Sequence, residues 1–237
     1  MTKTRVSVVL PAYNEVTRIK DTALCTIEAL EGFEPYEVIL AEDGSSDGTD
    51  EECSSLELRY PQVIHLHSKD RLGRGQALLR AFNLARGETV AYMDVDMATQ
   101  MRHLRELIGY IEEGYDVATG SRLLPQSEVS RTLGREITSR GFNLFVRLLL
   151  RSRVNDHQCG FKAFKRSAIL PLFDEVRNNG WFWDTEVLVR SQAKGYRIKE
   201  FPVEWWHGGD SKVHLFRDIT QMGSSVIKLW WEMMWGR

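Results

Sequence analysis

The chain has 237 residues, 43% of them hydrophobic and 27% charged, with a net charge of -2. That suits one α/β domain with ample apolar material for a core. The near-neutral balance gives no global attraction for nucleic acid, so any anion binding must come from local clusters, and no apolar run of about 18 residues marks a spanning helix.

In chain order, residues 5–10 form an apolar strand pattern and 15–30 an amphipathic helix pattern. A second strand is predicted over 36–41, and a helix over 47–60 with Ser46 or Asp47 as its cap. A third strand covers 63–66. The helix over 74–85 is closed by Gly87. A fourth strand covers 89–93, a helix 101–114 and a fifth strand 116–119. Beyond these, the patterns predict a long helix over 131–150, a short strand over 161–164 and a helix over 184–194. They add an extended stretch over 197–205 and a terminal helix over 219–235. Strand–helix alternation with short connections predicts a mostly parallel, twisted sheet flanked by helices, with ligands bound beyond the carboxyl ends of the strands. No linker cuts the chain, so 1–237 is read as one domain. Within it, the strand–helix alternation is regular over 1–122 and less regular over 123–214, and 215–237 carries the terminal helix pattern.

The opening Met1-Thr2-Lys3-Thr4-Arg5 runs straight into the first strand, so no signal peptide is expected. The three cysteines, Cys25, Cys53 and Cys159, are odd in number and far apart. They argue against a disulfide framework or a zinc site and for a reducing cytoplasm. His65 and His67 alternate along a strand and share a face; a half-exposed strand face accounts for them better than a metal pair.

Polar or glycine-rich loops follow all five strands of the first half. The most informative is Asp94-Val95-Asp96. Residues two apart on a strand point the same way, so both carboxylates are expected side by side. Like charges that close repel by up to about 4 kcal/mol at about 4 Å and an effective dielectric of about 20. Mg²⁺ or Mn²⁺, shared with substrate phosphates, would remove the conflict. The dinucleotide fingerprint and the Walker loop are both absent, which excludes the usual hydride-transfer and P-loop nucleotidase classes.

The run Val9-Leu10-Pro11-Ala12-Tyr13-Asn14-Glu15, with Glu42-Asp43-Gly44-Ser45 and Asp94-Val95-Asp96, resembles the family-two glycosyltransferases of GT-A fold. Asp156-His157-Gln158-Cys159-Gly160-Phe161-Lys162, Trp181-Phe182-Trp183-Asp184-Thr185-Glu186 and Gly209-Asp210-Ser211-Lys212 are similar to the dolichyl-phosphate glucosyltransferase branch. Dolichyl-phosphate mannose synthases share the layout. The resemblance covers nearly the whole chain. It implies a Rossmann-like GT-A sheet and inverting transfer of a hexose, glucose from UDP-glucose or mannose from GDP-mannose, to dolichyl or polyprenyl phosphate. Pro11, Tyr13, Glu15 and Asp43 match nucleoside-binding positions, and Asp94 and Asp96 the metal pair. Mannose synthases often carry Gln where this chain has Ala98, which leaves the third metal ligand to water or Gln100.

Arg74, Gly75 and Arg122 lie in rim loops, where guanidinium forks suit phosphate oxygens; Arg71 and Arg74 serve equally as surface charges. Arg131 and Arg135 are candidates for the acceptor phosphate. Gln158 and Lys212 match motif positions near the acceptor. Asp156 and Asp184 remain candidate bases or sugar-hydroxyl ligands. A phosphate monoester is already ionised near neutral pH, its second pKa being about 6, so a phosphate acceptor needs cations more than a base. The long helix carries an arginine face and an apolar stripe, Ile137, Gly141, Leu144, Phe145 and Leu148. The stripe is either core-facing, or part of a helix lying on an anionic membrane. The terminal helix, rich in Trp and Met, either lies in a membrane interface or packs on the domain or a homo-oligomer interface. Eukaryotic relatives carry an N-terminal membrane helix that this sequence lacks, so peripheral attachment to the cytoplasmic membrane face is expected. A hydroxyl acceptor, or a non-catalytic nucleotide-sugar-binding module, is the rival reading.

Overall fold

The structure, a computed structural model, describes residues 5–206 and 215–235, and of 215–220 only the helical backbone. A seven-stranded sheet runs through the molecule in the order β3-β2-β1-β4-β7-β5-β8. Its strands are β1 (Val6–Ala12), β2 (Tyr36–Glu42), β3 (Val63–Leu66), β4 (Thr89–Met93), β5 (Val117–Ser121), β7 (Phe161–Lys165) and β8 (Ile198–Pro202). Only β7 runs against its neighbours, pairing antiparallel with β4 and β5; the other pairs are parallel. The carboxyl ends of β1 to β5 therefore share one rim, and the start of β7 reaches it too, with Phe161 opposite Met93. A small second sheet pairs β6 (Glu128–Ser130) with β9 (Glu204–Trp206).

Alternation along β1 sorts the core into two layers. Val6, Val8 and Leu10 join a cluster with Ile19 and Ala23 of α1 (Ile19–Ala29), Cys53 and Leu56 of α2 (Thr49–Arg59) and Leu104, Leu107 and Ile108 of α4 (His103–Glu112). Val9 faces the other way with Ile39, Tyr92 and Phe164. These pack on Leu78 and Phe82 of α3 (Arg74–Leu84), Ile169 and Leu172 of α6 (Arg166–Phe173) and Trp183, Val187 and Leu188 of α7 (Trp183–Ala193). A period of two thus puts successive apolar residues under opposite helical layers.

A third cluster joins α5 (Leu133–Leu150) to α8 (Leu215–Trp235), with Val146, Leu150, Val226 and Leu229 packed beside Phe182 and Val189. Here the structure departs from the core-facing reading of the α5 stripe. Ile137, Leu144 and Leu148 are 71%, 54% and 72% exposed, and the buried positions are Asn143, Val146 and Leu150. Asn143 faces inward because its side-chain oxygen accepts from both the backbone N–H and Nδ1 of His157 (2.9 and 2.8 Å), a buried polar pair that fixes the helix. The first helix also starts later than its pattern suggests. Residues 14–16 form a loop whose Asn14 has φ +53°, because their amides are donated elsewhere, as described below.

Candidate active site

The strand order reverses between β1 and β4, which opens a crevice at their carboxyl ends. On one side, the loop after β1 is zipped to the loop after β2. The amides of Asn14, Glu15 and Val16 donate to Ser45 Oγ (2.9 Å), Thr49 Oγ1 (2.8 Å) and Asp47 Oδ2 (3.2 Å). Ser46 N returns a bond to Asn14 Oδ1 at 2.9 Å. Asp47 also accepts from Thr49 N at the start of α2, although the cap position itself is Gly48, at φ +98°. Asp43 is buried, and its two oxygens accept from Leu72 N (2.8 Å) and Gly73 N (2.9 Å), which fastens the loop after β3 to the same rim. Gly44 is required there: a Cβ would come within 2.7 Å of Arg71 N. Arg71 then stacks over the Tyr13 ring, 3.8 Å from its centroid. Pro11, in β1 opposite Ala41, and Glu15 complete this side.

On the other side stand Asp94 and Asp96. Asp94 N is held by Gly160 O at 3.0 Å, and Val95 O accepts from Thr22 Oγ1 at 2.6 Å. Asp96 Oδ1 accepts from Ala98 N at 3.0 Å. Burial, and then the charge of Asp94, push the Asp96 carboxyl above its ordinary range. Asp94, with 39% of its side chain exposed, pairs with Arg74 Nη1 and lies against Gly160, where any Cβ would collide with its carboxylate. Arg74 also reaches Asp184 Oδ2 at 3.5 Å and lies 5.4 Å from the ring centroids of Tyr92 and Trp181. Gly75 is tight for another reason: a Cβ would meet the backbone of Asn178 and Asn179 and Trp183 Cβ, all at 2.9 Å.

Asp156 and Asp184 lie beneath the rim rather than on it. Asp156 is fully buried, and Arg122 grips it through its backbone N (3.0 Å), Nε (2.7 Å) and Nη2 (2.9 Å). Burial works against its ionisation, but the Arg122 charge and hydrogen bonds hold its carboxyl well below the usual range. Asp184 is 2% exposed and accepts from Lys162 Nζ (2.9 Å) and the Tyr92 hydroxyl. Burial raises it to about 6 against the pull of Arg74. Arg122 lies within electrostatic reach of Asp94. Arg131 follows: its side chain is 4% exposed, its Nε is buried without a hydrogen-bond partner, and Glu136 Oε2 is 3.6 Å away. Burial and the neighbouring Arg122 charge lower its pKa. Arg135 sits half-buried in the first turn of α5. Gln158 Nε2 donates to Thr185 Oγ1 at 2.7 Å. Lys212 lies outside the described residues.

Sequence reasoning missed Lys162 and Glu200. Lys162 is fully buried beneath Asp184; the available signal was a charged residue inside the apolar strand run 161–164. Glu200 holds the amides of Asn155 and Asp156 at 2.8–3.0 Å and so shapes the loop that carries Asp156.

Comparison with known proteins decides the family. The family described as glycosyl transferase family 2 matches residues 7–173. The chain belongs to glycosyl transferase family 2. It is 53% identical over 232 residues to the glycosyltransferase AglD of Haloferax volcanii, a match that covers 96% of this chain and 37% of AglD. It is 31% identical to the dolichyl-phosphate beta-glucosyltransferase ALG5C of Trichomonas vaginalis, over 87% of this chain and 65% of that protein. With the dolichyl-phosphate beta-glucosyltransferase of Saccharomyces cerevisiae the identity is 30%, over 93% of this chain and 72% of the relative. The chain thus spans little more than a third of AglD and just under two thirds of ALG5C. Among solved structures, glucosyl-3-phosphoglycerate synthase from Mycobacterium tuberculosis superposes with a TM-score of 0.68 at 20% identity, over 98% of this chain and 80% of that one. That likeness makes the architecture a GT-A fold, as the sequence resemblance implied.

Proposed function

We propose that this chain is a metal-dependent, inverting glycosyltransferase that moves a hexose, glucose from UDP-glucose, onto dolichyl or polyprenyl phosphate. The observation that carries the proposal is the pole of charge along the crevice. Paired carboxylates, Asp94 and Asp96, stand at one end, with Arg74 beside Asp94. Arg122 and Arg131 follow, close enough to disfavour each other's charge. Arg131 Nε is buried and makes no hydrogen bond, its ion-pair partner Glu136 standing 3.6 Å away, so a phosphate oxygen could take the closer contact. Dolichyl-phosphate beta-glucosyltransferases among the relatives support a phosphate acceptor and a glucosyl donor.

The burial of Asp156 and Asp184 strengthens the case. Arg122 takes both oxygens of Asp156, and Asp184 is buried with Oδ1 held by Lys162 and Tyr92 and Oδ2 facing Arg74 Nε at 3.5 Å, so both carboxylates lie under cations rather than open to a sugar hydroxyl. A phosphate monoester does not need that service. In this reading Asp156 positions Arg122, and Asp184 positions Arg74. Tyr13, Pro11, Glu15 and Asp43 hold the nucleoside, with Gly75 setting the loop. Asp43 already secures two amides, so its contact with a base would use a remaining lone pair. Asp94 and Asp96 would hold Mg²⁺ or Mn²⁺, since their shared charge is relieved by a hard cation. That ion would neutralise charge on the leaving diphosphate.

The acceptor's lipid tail fits the outer face of α5 and α8. Leu133, Ile137, Leu144 and Leu148 on α5, and Ile227, Trp231, Met234 and Trp235 on α8, are all exposed. No helix among the described residues is long and apolar enough to cross a membrane. Exposed Leu and Trp on amphipathic helices suit a membrane interface, and peripheral binding at the cytoplasmic face follows from the proposed acceptor. The test is transfer of radiolabelled sugar from a panel of UDP- and GDP-sugars to a short polyprenyl phosphate, with Mn²⁺ or EDTA. An acid-labile lipid product, formed from UDP-glucose only with the metal, is the expected result. Transfer only to hydroxyl acceptors, or silence from every donor, overturns it.

A further inference from the structure

The metal-type residues of this chain are not confined to the Asp94/Asp96 pair. His65 lies in β3 and His67 just past its end; Glu42 ends the adjoining β2, whose Ala41 pairs with Leu66; Asp50 lies in the first turn of α2. One ligand atom from each of Glu42, Asp50, His65 and His67 lies within 4.8 Å of the others. Among the described residues, no other group of three or more His, Cys, Asp and Glu side chains gathers in this way. We propose that these four residues bind a divalent transition cation of the Zn²⁺ class at a site separate from Asp94 and Asp96, bracing the donor loops from behind.

Three features point to a cation rather than to a plain hydrogen-bonded knot. The His65 side chain is only 7% exposed, and its Nε2 is buried without a hydrogen-bond partner, 3.3 Å from Asp50 Oδ1. Its other nitrogen, Nδ1, lies 3.1 Å from Ser54 Oγ. A proton on Nδ1 donated to Ser54 leaves the Nε2 lone pair facing the carboxylates, as an outer partner does for a metal-bound imidazole. Second, Glu42 Oε2 and Asp50 Oδ1 both crowd His67 Nδ1, at 2.7 and 3.1 Å. One ring proton cannot neutralise two carboxylates, and a divalent ion can. Third, two imidazoles with two carboxylates match a borderline transition cation, whereas Mg²⁺ prefers an all-oxygen shell.

The position gives the site a purpose. Glu42 Oε1 holds Ser45 N, and the next residue, Asp43, holds the amides of Leu72 and Gly73. A cation here would tie the end of β2, the end of β3 and the start of α2 together under the nucleoside loops.

The test titrates the full chain, stripped with chelator, with ZnCl₂ by calorimetry, and with Co²⁺ by visible absorption. The Asp94→Asn/Asp96→Asn double variant is expected to bind one Zn²⁺ still, and its Co²⁺ form to show the strong d–d bands of a four-coordinate site. His67→Ala in that background should bind at least about tenfold more weakly. Should His67→Ala fail to fold by circular dichroism, Asp50→Asn, a partly exposed ligand, takes its place with the same expected loss. Absence of Zn²⁺ binding in the double variant overturns the proposal, as does undiminished binding in the folded ligand variant. The readout is metal bound, so it stands apart from whether the chain transfers sugar.

Discussion

In the parallel strands β1 to β4 most acids stand at the carboxyl ends of the strands and the apolar residues lie inside, Glu37, buried against Ser7 and Arg86, being the exception. Around β7, α5 and α8 the distribution is inverted. Asp156, Lys162 and Asp184 are buried, while Ile137, Leu148, Trp231 and Trp235 face outward. The first arrangement needs only a sheet and good loops, which suffices for the soluble donor proposed above. The second requires that each buried charge be matched, because an isolated one is prohibitive, and it leaves an oily face that water does not favour. A chain that must bring a soluble donor to a lipid acceptor would divide its surface in this way.

The sharpest way to break this comparison lies on the donor side. Asp96→Ala removes the carboxylate that feels the charge of Asp94, at a position that is only half-buried. Transfer should fall by at least about a thousandfold, with metal-dependent donor binding lost and circular dichroism unchanged. Normal turnover would sink the metal role of the pair.

The next effect is on stability. Asp156→Ala leaves Arg122, with 15% of its side chain exposed, without its counter-charge. Breaking a buried pair in this way costs about 3–5 kcal/mol, readable from urea denaturation. The pH dependence has a definite sign. Because the folded Asp156 carboxyl lies below its unfolded value, its stabilisation is complete above the unfolded pKa of about 3.9 and is lost as pH falls through the folded one. Asp156→Asn should therefore be less stable at neutral pH and flatten the acid limb of Tm against pH below about pH 4. An unchanged acid limb would show that the pair does not govern acid unfolding.

Arg131→Ala tests the acceptor end. KM for polyprenyl phosphate should rise about tenfold as a charge-assisted contact is lost, with KM for the donor unchanged. Equal effects on both substrates would move Arg131 to the donor.

Much of the first region was legible because its signals are local. Apolar runs gave β1 to β5, but β4 ends at Met93 and Asp94 and Asp96 lie in the turn beyond it, so a strand period of two does not place them. The start of α1 was misread because residues 14–16 give their amides to Ser45, Asp47 and Thr49, about thirty residues away. The helix α6 carries Pro171 inside it, and β6 is three residues long, so neither announced itself. The antiparallel β7 and the depth of Asp156 and Asp184 depend on tertiary partners such as Glu200 and Lys162. The long α5 shows the limit most clearly. Periodicity says which residues share a face, not whether that face points in or out.

That limit frames the smallest effect. On α5, Val146 is fully buried against Val226 and Leu229, whereas Leu144 and Leu148 are exposed. Val146→Glu should unfold the helix pair, since it buries an unpaired charge. Leu144→Glu/Leu148→Glu should leave stability within about 0.5 kcal/mol per site. Each Leu fully buried in an apolar phase contributes about 1.5–3 kcal/mol, and the interface recovers only part of that. Binding to anionic lipid vesicles should therefore weaken by about tenfold, with hydrolysis of a soluble donor unchanged. If vesicle binding is unaffected but the variant alters the oligomer seen by light scattering, the outer face serves a second copy of the chain instead. The oily face would then no longer distinguish the acceptor side as membrane-facing, and the lipid acceptor would have to reach Arg131 by another surface.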